Sequence, residues 1–175
     1  MEKIKSYTDV DAVDILHQVA NIYVNTKAPH DYGTGEEYTV VEVHALKRIA
    51  DNPGTTVTDL AREYAKTKGA ISQILKKLES KGLIYREVSD YNDKIYHIYL
   101  TDKGKLVDNV HRTYDGVKFG ESMDRVREHF SQEDINLAFS ILETWLEIRR
   151  DIQIKRDKEK KKLKKAKSKA INVKV

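Results

Sequence analysis

The chain has 175 residues, of which 39% are hydrophobic and 34% charged, and it contains no cysteine. This length is enough to bury a core within one domain, and the lack of cysteine excludes disulfides, cysteine-ligated metal centres and cysteine nucleophiles. The first residues lack the apolar segment of a secretory signal, and no apolar stretch approaches the ~18 residues of a membrane span, so we expect a cytoplasmic protein.

The charges are unevenly distributed along the chain. Residues 155–175 carry eleven basic and two acidic side chains, whereas the remainder carries 21 basic and 26 acidic ones. Within that acidic remainder, residues 55–86 form a basic segment with seven positive and three negative side chains. A localised basic segment indicates a polyanionic partner more clearly than the overall charge of +4 does.

The first half of the sequence predicts helices separated by short breaks. Apolar side chains recur at three- and four-residue steps over 8–26, which predicts a helix. Residues 28–38 contain a proline and two glycines and are predicted to form a loop. Thr39 and Glu42 predict a capping box at the start of a second helix, and a short third helix is predicted to begin near Thr56.

A fourth helix and a β-hairpin follow. The helix is predicted over 67–80, with Thr67 as its N-cap and Gly82 ending it. Alternating β-branched and aromatic residues predict strands over 83–88 and 94–100 with a hairpin loop between them, before two further helices. A tight helix-turn-helix followed by a two-stranded ribbon predicts a winged helix, so the expected fold is mainly α with a small β-wing and additional helices for dimerisation.

The helix over 67–80 has two distinct faces. One face is apolar and consists of Ile71, Ile74, Leu75 and Leu78. The other is small, polar and basic, and consists of Gly69, Ser72, Gln73 and Lys76, flanked by Lys68 and Lys77. Such a face suits the major groove of DNA, where lysine meets phosphates or guanine edges and glutamine pairs with adenine. The alternative is an ordinary solvated face, but those usually interleave acids.

Residues 55–104 resemble the DNA-binding core of MarR-family regulators. The matching features are Leu60-Ala61, Thr67 with Ser72, Leu78-Glu79, Gly82-Leu83-Ile84 and Leu100-Thr101-Asp102-Lys103-Gly104. Because the flanking helices also match in number and order, the resemblance extends over about residues 8–150. It implies a homodimer that binds double-stranded DNA at a pseudo-palindromic operator. It also implies that this dimer is a repressor whose binding responds to a ligand.

The resemblance also implies the division of the chain and its DNA contacts. Residues 1–38 and 105–154 would form a helical dimerisation region, and 39–104 the winged-helix DNA-binding domain. By position, the recognition helix contributes Thr67, Lys68, Gly69, Ser72, Gln73, Lys76 and Lys77, and phosphate contacts come from Thr56 and Thr58.

The wing departs from the family pattern. The family usually has Asp-Arg-Arg where this chain has Asn92, Asp93 and Lys94. Lys94 matches the second arginine, but an aspartate in place of the first would be repelled by a narrow minor groove. We therefore expect Asn92 and Lys94 to contact DNA, with a weak contribution from the wing.

Three polar residues could serve a second site. His44, His111 and Asp115 resemble in position some ligands of zinc-sensing relatives, and Asp115 follows His111 by four residues on one helix face. Zinc prefers four ligands, and the sequence offers no convincing fourth. We therefore predict no metal or cofactor and interpret the three as lining an effector pocket, with a zinc- or other metal-responsive regulator as the alternative.

Two other classes of function are less well supported. An enzyme would need a nucleophile–base pair, a metal cluster or a cofactor loop, and none is visible, so we predict no catalytic site. A winged helix that binds protein instead of DNA would favour an apolar or acidic face over 67–80, which the sequence does not have.

The C-terminal third contains an apolar stripe and then a basic tail. The stripe over 135–152 is interleaved with Glu143, Glu147 and Asp151, which anionic lipid would repel, so we expect a dimer core with Trp145 as an anchor. The tail over 155–175 is by default a frayed or disordered extension of the last helix. Its functional alternative is an additional phosphate-binding arm.

Overall fold

A computed structural model describes residues 6–24 and 28–172. The elements are α1 (Asp9–Val24), β1 (His30–Asp31), β2 (Glu37–Tyr38), α2 (Val40–Asp51), α3 (Val57–Glu63), α4 (Lys68–Ser80), β3 (Ile84–Ser89), β4 (Asn92–Leu100), α5 (Asp102–Arg127) and α6 (Gln132–Asn172). The predicted winged helix is confirmed. No helix in the described ranges is long and apolar enough to cross a membrane.

The core of the winged helix lies between α2, α3, α4, the wing and the start of α5. Its fully buried side chains include Leu46, Leu60, Leu75, Leu78, Leu83, Ile98 and Val107. Threonines cap the first turns of α2, α3, α4 and α5, and the predicted capping box of Thr39 and Glu42 is confirmed. A second capping box, between Thr56 and Asp59, begins α3. These caps satisfy amides that would otherwise lack partners and fix where each helix starts.

The predicted loop over 28–38 contains two short strands, so that prediction is corrected. β1 and β2 pair antiparallel, with His30 opposite Tyr38. The Tyr38 ring is fully buried in the core, and Lys103 Nζ of α5 lies 2.7 Å from Glu36 Oε1. Two-residue strands are too short to show periodicity, which is why they could not be predicted from the sequence.

The wing turn is also shorter than predicted. β3 and β4 pair antiparallel, and Ser89 lies opposite Asn92, which leaves only Asp90 and Tyr91 in the turn instead of the predicted loop over 89–93. Strand pairing extends into this polar segment because the ladder depends on backbone groups. Asn92 Oδ1 also accepts a hydrogen bond from the Lys94 amide at 3.0 Å.

The outer helices extend beyond the winged helix. α1 matches the helix predicted over 8–26, of which residues 25 and 26 lie outside the described ranges. α6 contains the apolar stripe predicted over 135–152 and continues unbroken to Asn172, so the tail is helical through that residue and not disordered. Residues 132–172 contain no glycine or proline, and lysine, glutamate and alanine are good helix formers. Residues 1–5 and 173–175 lie outside the described part of the chain.

Candidate nucleic-acid interface

α4 is held with one face against the core and the other towards solvent. Ile71 is 2% exposed, and Leu75 and Leu78 are fully buried. The Thr67 hydroxyl accepts a hydrogen bond from the Ala70 amide at 3.1 Å, which fixes the first turn. Because these apolar side chains hold α4 against the core, the opposite face of the helix stays exposed to solvent.

The outward face of α4 is basic, and most of its side chains make no hydrogen bond or ion pair within the described part of the chain. Gly69, Gln73 and the lysines are exposed, and Ser72 is half-buried. Among the side chains that the structure describes, at 6–23 and 28–163, no hydrogen bond or ion pair involves the side chain of Lys68, Gln73, Lys76 or Lys77. Glu79, the acid nearest this face, is paired with Arg86 of the wing at 3.0 Å. The face therefore presents hydrogen-bond donors and positive charge without a free carboxylate.

The two threonines before α4 differ in their availability. The Thr56 hydroxyl donates to Asp59 Oδ2 at 2.6 Å and accepts from the Asp59 amide. That hydrogen bond lowers the pKa of the Asp59 carboxyl, so a negative charge stays beside Thr56 at neutral pH. Thr58 is exposed, and is the better placed of the two for a phosphate.

The wing tip exposes an aromatic ring that the sequence analysis missed. Tyr91 is 97% exposed, and it stands at the turn between β3 and β4. Asp93 and Lys94 are exposed on the strand that follows. Only the strand register, with its two-residue turn, identifies Tyr91 as the tip, and the sequence did not predict that register.

The residues proposed for a second site come together between α2 and α5. The potential ligand atoms of His44, His111 and Asp115 lie within 4.8 Å of one another, and His111 Nε2 is 3.1 Å from Asp115 Oδ2. Burial lowers the pKa of both His44 and His111, although Asp115 acts in the opposite direction. Both rings are therefore neutral at neutral pH, which is the form that binds metals.

Aromatic rings surround this cluster. His111 is 1% exposed, and its ring meets the rings of Tyr32 and His44 edge-on at 5.2 and 5.0 Å. His30 and Tyr114 extend the cluster, with ring centroids 4.9 Å apart. The buried His111 Nδ1 has no hydrogen-bond partner among the described residues. His30 and Tyr32 were not predicted because residues 28–38 were expected to form a loop, and Tyr114 of α5 joins the cluster only through its contacts with these two rings.

The outer helices carry large exposed apolar side chains. On α1 these include Val10, Val13, Val19 and Ile22, and on α6 they include Leu137, Ile141, Leu142, Trp145, Leu146 and Ile148. Trp145 and Ile141 also line a shallow apolar depression on α6. Contiguous apolar surface of this kind marks an interaction site.

Comparison with known proteins identifies the winged-helix segment. Residues 38–94 match the sequence model of the MarR family. The uncharacterized HTH-type transcriptional regulator YhjH of Bacillus subtilis is 31% identical over 84 residues, which are 48% of this chain and 48% of that protein. The chain therefore matches about half the length of its curated relatives.

Solved structures share the fold over a longer stretch. S. aureus MepR in complex with DNA is 25% identical with a TM-score of 0.56, and the match covers 81% of this chain and 97% of MepR. The zinc-responsive MarR family member ZitR of Lactococcus lactis has a TM-score of 0.55 at 18% identity, covering 78% of this chain and 94% of ZitR. At 18% identity the likeness to ZitR shows the fold alone.

Proposed function

We propose that the chain is a MarR-family winged-helix regulator that binds DNA sequence-specifically and controls transcription, because residues 38–94 match the sequence model of that family. It binds a pseudo-palindromic operator in the cytoplasm as a homodimer and acts as a ligand-responsive repressor instead of an enzyme. The observation that carries the DNA-binding part is the outward face of α4, where Gln73 and three lysines are exposed and uncommitted. A helix in the major groove presents such a face to base edges and phosphates.

The homodimer is supported by the apolar surface of the outer helices. Ile148 of α6 is 53% exposed and Ile22 of α1 is 67% exposed, which is costly for a helix that stays solvated. A second copy of the chain offers the same surfaces and can cover both through a two-fold interface. A dimer would also place two copies of α4 on the two half-sites of an operator.

Substitutions on α4 test which side chains read sequence. We expect Gln73→Ala to weaken binding to the preferred operator by about 1–3 kcal/mol and to relax preference at one base pair per half-site, because a bidentate contact to a base is lost. Lys76→Ala should weaken binding to all sequences more evenly if its amine contacts phosphate. Both are measured by titrating the protein into labelled duplexes that carry every single-base change.

The control for these variants is Lys118→Ala on α5. It removes one positive charge, as Lys76→Ala does, at an exposed position far along the chain from α4, where the Lys118 amine lies 4.0 Å from the Glu121 carboxylate. It should leave the operator preference unchanged. Identical preferences for Gln73→Ala and the unmodified protein at every position would show that the assigned face does not read bases.

A metal-responsive regulator is the second candidate, and the convergence of His44, His111 and Asp115 favours it. Two neutral imidazoles and a carboxylate are a donor set that suits Zn²⁺ or a similar divalent ion. These three residues would hold the metal, and a bound ion would link α2 to α5. Since α5 leads from the wing to the outer helices, such a link could change the spacing of the two α4 helices in a dimer.

Calorimetric titration of Zn²⁺ into the chelator-treated protein tests whether the cluster of His44, His111 and Asp115 is a metal site or a pocket for an organic effector. If the cluster binds metal, we expect Asp115→Asn and His44→Gln to lower the affinity for zinc at least tenfold, and affinity to fall with decreasing pH as protons compete for the rings. Glu121→Gln, an exposed acid on the same helix, is the control. Equal affinities in all variants would leave the cluster as a pocket for an organic effector.

A further inference from the structure

The basic extension of α6 begins where α6 packs on the helix-turn-helix. An open cleft of about 750 Å³ lies between the α2–α3 connection, α3 and α6, with Ile154 among its lining residues. Its walls carry both charges: the arginines Arg62 and Arg150 and the carboxylates Asp59, Glu63, Glu147 and Asp151. The first helix of a helix-turn-helix crosses the DNA backbone when the second enters the major groove. The last contacts of α6 with the body of the protein are therefore made beside the helix that lies over the phosphates.

Beyond this contact the helix leaves the body of the protein. Ile154 and Asp157 are half-buried, whereas every residue over 158–163 is exposed. Gln153 Nε2 donates to Asp157 Oδ1 at 3.2 Å, which occupies one of the two acids of the extension within α6 itself. Over 155–172 the chain carries ten basic side chains against two acidic ones.

The composition of this segment selects the kind of partner. Leu163 is the one large apolar side chain over 155–163, so the segment cannot pack as a conventional helix in a protein core. Lys158 and Lys162 are four residues apart on one face, and like charges at that spacing destabilise an isolated helix. A polyanion would remove this repulsion by replacing the counterions around the lysines.

We propose that residues 155–172 form a helical arm that binds the phosphates of the DNA flanking the operator. This inference rests on the proposed DNA-binding function and adds a second, sequence-independent contact to it. From Ile154 to Asn172 the helix rises about 27 Å at ~1.5 Å per residue. That is about four-fifths of one turn of duplex, which is about 34 Å, and is long enough for an arm anchored at α3 to reach backbone beyond the half-site that α4 covers.

The test compares two sets of substitutions at the same four positions, Lys158, Lys160, Lys161 and Lys162. Changing all four to glutamine removes charge but keeps helix propensity, and changing all four to arginine keeps both. Binding of each full-length variant is measured against salt concentration, on a duplex with the operator alone and on one with ten further base pairs on each side. Circular dichroism checks that the variants fold alike.

The glutamine variant should show a shallower dependence of log K on log salt, by about 0.9 for each lost phosphate contact. A dimer in which four of the eight substituted lysines contact phosphate would lose about 3.6. The added flanking base pairs should strengthen binding of the unmodified and arginine proteins but not of the glutamine variant. Discrimination between operator and unrelated DNA should be the same in all three.

Two results would overturn the arm, and they are distinguishable from failure of the proposed function. Equal salt slopes for the glutamine and unmodified proteins, with operator discrimination intact, would reject the arm alone. An equal loss of slope in the arginine variant would show that charge is not the cause. If the unmodified protein does not discriminate the operator from unrelated DNA, the proposed function fails and the arm proposal fails with it.

Discussion

Gly104→Ala is expected to destabilise the protein by about 3 kcal/mol or more, since it overpacks a site that cannot relax easily. A Cβ at Gly104 would lie 2.0 Å from the carbonyl oxygen of Leu83 and 3.0 Å from its carbonyl carbon. The same carbonyl accepts a hydrogen bond from the Thr101 amide at 3.0 Å, and Leu83 is fully buried. The first turn of α5 would have to move away from the wing.

Gly116→Ala on the same helix is the matched control. A Cβ there meets no atom of the described residues within 4 Å, so removal of a helical glycine should stabilise the protein by up to about 1 kcal/mol. Urea unfolding of the two variants measures both effects. Similar small changes for both would contradict the close contact of α5 with Leu83, in the connection between α4 and β3.

The second large effect is expected at the outer helices, where Trp145→Glu should dissociate the proposed dimer. Trp145 is 41% exposed in one protomer and lies between Ile141 and Ile148 on the apolar stripe of α6. A two-fold interface carries each substitution twice, and burying two unpaired carboxylates costs several kcal/mol. A loss of about 4 kcal/mol corresponds to about a thousandfold weaker dimer, which sedimentation equilibrium measures.

Leu163→Glu provides the control for that variant. Leu163 is also an exposed apolar residue of α6, at 61%, but it lies in the basic extension beyond the stripe. It should remain dimeric at concentrations where Trp145→Glu is monomeric. Dimers of equal stability in both variants would place the interface elsewhere, and operator binding by monomeric Trp145→Glu at full strength would contradict the need for two copies of α4.

The winged helix could be predicted because its signals are local. Thr67 caps α4, Gly82 adopts a φ of +68° just after it, and Leu75 and Leu78 share the buried face at helical spacing. The pairing of His111 with Asp115 followed in the same way from a four-residue step on one helix.

The features that the sequence did not predict depend on contacts between distant segments. Tyr38 is buried by α2 and the rest of the core, and His30 and Tyr32 reach the cluster only because β1 and β2 fold over α5. Tyr91 becomes the wing tip through the register of β3 on β4. Residue composition carries little information about such long-range pairings, because short strands have no period of their own.

The central claim is specific binding of DNA through α4, and one titration tests it most directly. Purified protein is titrated into the duplex from just upstream of its own coding region at several salt concentrations, with an excess of unrelated DNA as competitor. We predict tight binding that survives the competitor and that Gln73→Ala weakens. Weak binding that the competitor removes, with no effect of Gln73→Ala, would contradict the account and favour a winged helix that binds protein.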